Sequence, residues 1–310
     1  MKKLITLGSL LLGLLALSFS PVRADTDNTP VVTLGRSLTT QQQKGTVATL
    51  TQHLDGDSYN TITVTGDDLV KYLNPSGSTF TSNSGVWSSA MIQKTATGSG
   101  INVQILTYHG NQNITTITAN QYKNAALTAG ISDANIYITS ATPIDGSGAL
   151  AGIYKAYAKD GNALNQKQVN AAQNEMGTLS QITQANQDKK GYSDTQLNNA
   201  VAGAKADMAK AGSQVSRDQI TTIVNNQINQ NKLTQVITNN QKEQIINLLI
   251  QIRNSGALKN HNFKTQAQNL TKQIQSGAKN LFNRLNTTEN RNFIQKIWDA
   301  IVNFFTQLFK

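Results

Sequence analysis

The order of the predicted secondary structure changes once along this chain, at about residue 158. Before that point, short β-rich runs alternate with short helical runs. The remainder is rich in Gln, Asn, Lys and Ala, with apolar residues at helical spacing. One example of that spacing is the set Ile220, Ile223, Val224 and Ile228. Strands and helices mixed as in the first half are typical of an α/β or α+β domain. The sequence therefore predicts such a domain followed by an all-α helical region.

The N-terminal half is expected to contain about five strands and four helices. Strands are predicted at 31–34, 62–65, 86–94, 101–108 and 135–139, and helices at 38–53, from 66 onward, at 118–130 and at 149–159. Thr118 and Gln121 form a capping box, in which each side chain binds a free backbone N–H of the other residue. The segment 97–100 is short enough to join the third and fourth strands as a hairpin.

The second half is predicted to be a series of helices. Ser216 and Gln219 form another capping box, and breaks between helices are expected at 191–194 and 254–256. The high Asn and Gln content is also compatible with disorder. The sustained apolar spacing, which continues through Ile245, Leu249 and Ile252, favours helices.

Residues 1–24 have the pattern of a secretory signal peptide. Lys2 and Lys3 precede an apolar run at 4–17, which is shorter than the roughly 20 residues of a membrane-spanning helix. We expect cleavage after Ala24 and export of the remainder. That remainder comprises an α/β domain at 25–158, a basic Asn/Gln-rich helical region at 159–290 and an amphipathic C-terminal helix at 291–310.

Positive charge is concentrated in the C-terminal half. Residues 25–155 carry 6 Lys+Arg and 8 Asp+Glu, whereas residues 156–310 carry 18 and 9. This distribution predicts attraction to the anionic cell envelope, either teichoic acid or lipid. Nucleic acid is not expected as a partner, because few aromatic residues are interleaved with the basic ones before residue 280. A solvated basic face without a specific ligand is the alternative.

The chain of 310 residues contains no cysteine. Disulfides, thiolate metal sites, cysteine nucleophiles and a lipid-modified cysteine are therefore excluded.

A family resemblance is carried mostly by the N-terminal half. The matching residues are Val32-Thr33-Leu34-Gly35 with Leu38-Thr39 and Gln42, Ser88-Ser89-Ala90, residues 98–103, Tyr122 with residues 124–131, Asp133-Ala134, and Gly146 with residues 149–157. These segments resemble the YpuA-like family of exported Gram-positive proteins of unknown function. The resemblance implies a class and a location, and it brings no established activity.

Gly146, Gly148 and Gly152 follow the last predicted strand and open the last helix of the first half. A phosphate-binding glycine loop occurs in this context. However, the motif lies at the end of the domain, and no acidic residue sits at the end of a strand about twenty positions later. We therefore interpret the glycines as a means of packing the helix closely on the sheet.

His53, Asp55 and Asp57 place three possible metal ligands within five residues. A calcium loop requires further oxygen ligands, and Asp-Gly-Asp is an ordinary turn sequence, so no metal is expected. His109 follows a predicted strand, and no Gly-x-Ser-x-Gly motif accompanies it. No cofactor and no catalytic residue is predicted.

The C-terminal segment is the most amphipathic part of the chain. Its candidate contact residues are Lys296, Ile297, Trp298, Ile301, Phe304, Phe305, Leu308 and Phe309. Apolar residues recur there at intervals of one, three and four, which predicts a helix with one apolar face. That face could dock on other helices or on a second copy of the chain, or lie at a membrane surface.

These features predict an exported, non-enzymatic protein that associates with the cell envelope or with itself. One alternative is an envelope enzyme with its site in the α/β domain, for which His53, Asp55, Asp57 and His109 are the only plausible chemical groups. Another is a membrane-active secreted factor.

Overall fold

The structure is a computed structural model that describes residues 29–54, 56, 58–159, 164–260 and 262–284, with side chains up to residue 277. Its strands are β1 (Val31–Gly35), β2 (Asn60–Val64), β3 (Ser88–Lys94), β4 (Ile101–Ile105) and β5 (Ala134–Ser140). The helices of the first half are α1 (Thr40–Thr51), α2 (Gly66–Leu73), α3 (Ala119–Ala129) and α4 (Ser147–Lys159). Those of the second half are α5 (Gln166–Asn186), α6 (Asp194–Ala211), α7 (Arg217–Gln230), α8 (Asn239–Asn254) and α9 (Phe263–Arg284). The predicted fold class, a mixed α and β domain followed by helices, is confirmed.

Local sequence signals set the helix boundaries. Both predicted capping boxes form: Thr118 with Gln121 begins α3, and Ser216 with Gln219 begins α7. Gly130 ends α3 in a left-handed conformation, with a φ of 90° that glycine adopts without strain. The expected breaks at 191–194 and 254–256 separate α5 from α6 and α8 from α9.

The five strands form one mixed sheet in the order β2-β1-β3-β5-β4. β1 and β2 are parallel, as are β4 and β5, whereas β3 is antiparallel to both of its neighbours. The predicted hairpin between the third and fourth strands is therefore wrong. β5 lies between these strands, and its first residue, Ala134, pairs with Lys94 on one side and Ile101 on the other.

The connection between β3 and β4 crosses the start of β5, and Asp133 holds it there. The Asp133 Oδ1 atom accepts hydrogen bonds from the backbone N–H groups of Gly98 and Gly100, at 3.0 and 2.9 Å. It also accepts one from Gln266 Nε2 of α9 at 2.8 Å. These long-range bonds replace the turn bonds of a hairpin, which explains why the short loop length misled the prediction.

The two faces of the sheet are covered differently. Helix α1 covers one face, where Leu50 packs with Val32, Met91 and Tyr137. Helices α3 and α4 cover the other face, which contributes Val31, among other residues, to the main core. Because side chains alternate along a strand, Val31 and Val32 point to opposite faces.

Close packing of α4 on the sheet depends on its glycines, as predicted. A Cβ atom at Gly152 would clash with the side chain of Thr33, and one at Gly148 would clash with Val86 and Ser88. The Ser88 hydroxyl also accepts a hydrogen bond from the backbone N–H of Ala149 at 2.9 Å. The helix start is therefore satisfied by groups of the protein itself.

The helical half packs on the α/β half through α3. Helices α5, α6 and α9 all contact α3, and α7 and α8 pack on α6 and α5 respectively. The main cluster of buried apolar side chains runs without interruption from Val31 in β1 to Ile274 in α9. Within the described part of the chain, none of the helices has the length and apolar character needed to span a bilayer.

Candidate functional site

A cleft of about 580 Å³ lies where the two halves of the molecule meet. Its walls come from the turn after α2, residues Thr116 and Ile117 before α3, the start of α4, and helices α5 and α8. The site is thus assembled from both halves, in a volume typical of ligand-binding pockets, which range over about 300–1,000 Å³.

Amides and hydroxyls make up most of the cleft lining. The amide side chains are Gln173, Asn174, Gln181, Gln244, Asn247 and Gln251. Three apolar side chains, Ile117, Met176 and Leu248, lie among them. Of the described residues that line the cleft, only Asp145 carries a charge. The lining therefore offers many hydrogen-bond donors and acceptors and little net charge.

The carboxylate of Asp145 caps α4. Its Oδ1 accepts a hydrogen bond from the backbone N–H of Ser147 at 3.0 Å, and its Oδ2 accepts one from the Ser147 hydroxyl at 2.6 Å. Nearby, the buried Tyr122 hydroxyl donates to the carbonyl of Gly146 at 2.8 Å. Burial, and then the charge of Asp145, raises the pKa of Tyr122 well above its ordinary value. Asp145 thus holds the first residue of α4, and the raised pKa keeps Tyr122 in its protonated form.

Three residues of α5 shape the cleft. Asn174 Nδ2 donates to Gln251 Oε1 at 2.9 Å, which joins α5 to α8. The side-chain oxygen of Gln173 is buried and has no hydrogen-bond partner within the described part of the structure. At Gly177, an added Cβ atom would meet nothing within 4 Å, so this position leaves open space inside the cleft lining.

A buried polar seam, formed by Asn124, Thr128, Glu175 and Lys205, joins α3 to α5 and α6. Lys205 Nζ lies 2.8 Å from Glu175 Oε1, and the side chains of both residues have 0% exposure. Lys205 also donates to the carbonyl of Asn124 at 3.0 Å, and the Thr128 hydroxyl donates to Glu175 Oε2. Burial lowers the pKa of Lys205, and the charge and hydrogen bond of Glu175 oppose that shift.

A second polar cluster surrounds Asp194 at the start of α6. Its carboxylate accepts hydrogen bonds from Thr118 Oγ1 at 2.8 Å, Asn198 Nδ2 at 2.9 Å and Thr183 Oγ1 at 3.3 Å. Burial raises the pKa of Asp194 above its ordinary 3.8, although these three hydrogen bonds oppose the shift. The cluster connects the cap of α3 to α5 and α6.

The raised pKa of Asp194 predicts how stability depends on pH. The folded state binds the proton of this carboxyl more tightly than the unfolded state does. The contribution to stability is therefore complete below 3.8 and is lost as pH rises through the folded-state pKa. As the pH rises through this range, the unfolding free energy of the unmodified protein should fall relative to that of Asp194→Asn, whose side chain stays neutral. Urea denaturation between about pH 3 and pH 7 measures the difference. Asp218→Asn, at the first turn of α7, is the matched control, and parallel curves for the Asp194→Asn and unmodified proteins would contradict the expectation.

Comparison with known proteins places these features in a family. The family model described as "Protein of unknown function (DUF1002)" matches residues 34–270, which include the cleft, the polar seam and the Asp194 cluster. This chain belongs to that family. It is also 28% identical over 283 residues to "Uncharacterized protein YpuA" of Bacillus subtilis (strain 168), with 89% of each chain covered. The resemblance seen in the sequence is confirmed. No solved structure matches the chain.

The two candidate histidines that the structure describes each pack against an aromatic ring. His53 stacks on Tyr137, with ring centroids 5.0 Å apart, and His109 packs edge-on against Tyr108 at 4.4 Å. Tyr108 in turn packs against Gly45, which lies about two helical turns before His53. Asp55 and Asp57 lie outside the described residues. Among the residues described, no group of three or more His, Asp or Glu side chains is arranged to hold a metal ion.

The candidate contact residues of the C-terminal segment, Lys296, Ile297, Trp298, Ile301, Phe304, Phe305, Leu308 and Phe309, lie outside the described residues. Their role in contact with the envelope or with a second copy of the chain stays a prediction. The same holds for the predicted signal peptide at 1–24, and the proposed domain boundary near residue 158 adjoins residues 160–163, which are also outside the description.

The polar seam and the cleft were not predicted from the sequence. A signal for the seam was present, because Lys205 follows Leu197 and Val201 at intervals of four and precedes Met208 by three, on the apolar stripe of α6. A charged residue on such a stripe requires a buried partner. The cleft had no comparable signal, because amides at exposed helix positions are ordinary until the tertiary structure places several of them opposite one another.

Proposed function

We propose that this protein is an exported, non-enzymatic binding protein of the cell envelope, and that the cleft between its two halves is its ligand site. The observation that carries the proposal is the lining of the cleft, which is rich in amides and hydroxyls. Among the described lining residues only Asp145 is charged, and it bonds Ser147 at the start of α4. Such a lining suits recognition by hydrogen bonds.

The chemistry of the lining favours binding over catalysis. General acid–base or nucleophilic catalysis requires at least one titratable or activated group aimed at the substrate. Asp145 accepts hydrogen bonds from Ser147 on both oxygens, and among the described lining residues no second titratable group accompanies it. An envelope enzyme using His53 or His109 is the less favoured function, since these two side chains pack against different aromatic residues.

The location at the envelope rests on charge and on the N-terminal segment. Residues 232–310 carry 11 Lys+Arg and 3 Asp+Glu, a balance that attracts anionic polymers and anionic lipid. In the described part of this stretch, Lys232, Lys259, Lys264 and Lys272 are all exposed. We propose that this charge and the C-terminal segment hold the protein at the envelope, with self-association of that segment as the alternative.

Sedimentation of the mature protein with purified cell walls tests the proposed function. At high salt, which screens the attraction of the basic surface to the walls, we expect the protein to sediment with the walls and the Gly177→Trp variant, whose indole would fill the cleft, to sediment less. Equal sedimentation of both proteins, or failure of the unmodified protein to bind, would overturn the proposal. Thermal unfolding of the variant establishes that it is folded.

A second experiment distinguishes envelope contact from self-association. The mature protein and a form ending before Asn292 are compared with anionic and with neutral liposomes at low and high salt. Binding that requires the last residues, anionic lipid and low salt supports surface attraction. Absence of lipid binding, together with a changed oligomeric state in the shortened form, supports self-association instead.

A further inference from the structure

The outer side of β2 is an open edge of the sheet. Within the described part of the chain, β2 is the first strand in the order and pairs with β1 alone. The N–H of Asn60 and the carbonyl of Val64 bond to the segment that contains β1. Because successive residues direct their backbone groups to opposite edges of a strand, those of Thr61 and Thr63 point away from β1. Outward-pointing groups of this kind are a template for pairing with another strand.

The side chains along this edge favour association with another strand. The strand Asn60–Val64 contains no charged residue, and the four residues after Asn60 are β-branched, which suits a pleated strand. Thr61 and Thr63 are exposed. Tyr59, which directly precedes the strand, is 40% exposed and is the exposed large apolar side chain of the described residues. An uncharged edge with an exposed aromatic residue beside it requires protection from unwanted pairing.

One charged side chain lies across the open edge. Lys155 extends from α4, and its Nζ donates a hydrogen bond to the outward-pointing carbonyl of Thr63 at 2.8 Å. The same Nζ lies 2.7 Å from Asp68 Oδ2 in the first turn of α2. Asp68 is itself held in place, because its Oδ2 accepts a hydrogen bond from the backbone N–H of Thr65 at 2.8 Å. The ammonium group is therefore fixed at the edge by a backbone carbonyl and a carboxylate together.

A strand added to β2 would have to displace this ammonium group. The incoming strand would need the Thr63 carbonyl as an acceptor for one of its own N–H groups. Displacement of Lys155 would also leave the carboxylate of Asp68, whose side chain is only 12% exposed, without its cation. Loss of one partner from a largely buried ion pair is unfavourable. Lysine is one of the residues by which proteins protect edge strands, and here its position accounts for that effect.

A second copy of the chain is the partner that this edge fits. Two identical edges that pair around a two-fold axis place the two β2 strands antiparallel to each other. When the axis passes beside Thr61, each Thr61 exchanges both backbone hydrogen bonds with its counterpart. In that register, Tyr59 of one copy lies opposite Thr63 of the other, so the exposed aromatic ring is covered. Since β2 contains no charged residue, the two strands do not repel each other.

We propose that Lys155 keeps the β2 edge closed, and that without it two copies of the protein join at this edge into one continuous sheet. The contact is thus autoinhibitory: a side chain of α4 occupies the position that the strand of a second copy would take. This inference goes beyond the proposed function and is independent of it, because it involves neither the cleft nor the C-terminal segment.

Disulfide cross-linking of the full mature protein tests the proposal. The chain contains no cysteine, so a single introduced cysteine reports contact at a chosen position. Thr61→Cys is compared with and without Lys155→Met under the same oxidant. A hydrogen-bonded antiparallel pair places its two Cα atoms about 5.5 Å apart, within the range of about 4.4–6.8 Å that a disulfide spans. We expect the cross-linked dimer to form at least about tenfold faster in the Lys155→Met protein. Equal rates would overturn the proposal.

Matched controls assign the effect to Lys155 and to the β2 edge. Lys159→Met removes an exposed lysine one helical turn later in α4, and it should leave the rate of cross-linking at Thr61→Cys unchanged. Gln104→Cys places the cysteine at an exposed position of β4, the strand at the opposite edge of the sheet. If Lys155→Met accelerates cross-linking there as much as at Thr61→Cys, the association is non-specific and the proposal is wrong. Thermal unfolding establishes that each variant is folded, and Lys155→Ala provides the same test if Lys155→Met does not fold.

Discussion

Replacing Lys205 with methionine is expected to lower the unfolding free energy by about 3–5 kcal/mol. The substitution leaves the Glu175 carboxylate buried without its cation, and it leaves the carbonyl of Asn124 without a donor that now lies 3.0 Å away. An uncompensated buried charge is among the most costly changes in a protein interior. Urea or guanidinium denaturation of the two proteins at neutral pH measures the loss.

Two further variants give this prediction its controls. Arg217→Met breaks the exposed ion pair with Glu243, whose side chains are about half exposed, and it should cost no more than about 1 kcal/mol. The double variant Glu175→Met/Lys205→Met removes both buried charges, and it should be more stable than Lys205→Met alone. A double variant less stable than the single one would show that the seam does not behave as a coupled ion pair.

Gly152→Ala and Gly177→Ala should change stability in opposite directions. At Gly152, the added methyl group would clash with the side chain of Thr33. That side chain cannot move aside freely, because its hydroxyl exchanges hydrogen bonds at 3.1 Å with both the N–H and the carbonyl of Ala90. We expect a loss of about 1–3 kcal/mol from overpacking between α4 and the sheet.

At Gly177, the same substitution meets open space and improves the helix-forming tendency of α5. We therefore expect a gain of about 0.5–1 kcal/mol. Because both changes are Gly→Ala within a helix, the difference between them isolates the packing contribution at Gly152. Chemical denaturation measures both values, and a gain at Gly152 comparable with that at Gly177 would contradict the close packing of α4.

The local features of the fold could be predicted from the sequence because they depend on neighbouring residues. The capping boxes at Thr118 and Ser216 and the glycines of α4 are examples, since each acts through its own turn or its own helix face. The strand order could not be predicted in this way. The contacts that exclude the hairpin involve Asp133 and Gln266, which are distant in sequence from the loop that they hold.

The candidate site was harder to predict than the fold. Lys205 and Glu175 carried a signal in their position on buried helix faces, but pairing them required knowledge of how α5 and α6 pack. The cleft depends on amides from α5 and α8 that face each other only in the folded molecule, such as Asn174 and Gln251. The candidate chemical groups predicted from the sequence were titratable residues, whereas the candidate binding residues are mostly neutral.

The position of β5 between β3 and β4 also governs the order in which the sheet can assemble. During synthesis, both flanking strands leave the ribosome before the strand that separates them, and α3 emerges in between. β3 and β4 therefore do not pair with each other. β3 has β1 as an earlier partner on one edge, but its other edge and β4 stay unpaired until residues 134–140 arrive. Because the apolar cluster then continues into α9, the nascent chain completes its core only after nearly all of its described length has been made.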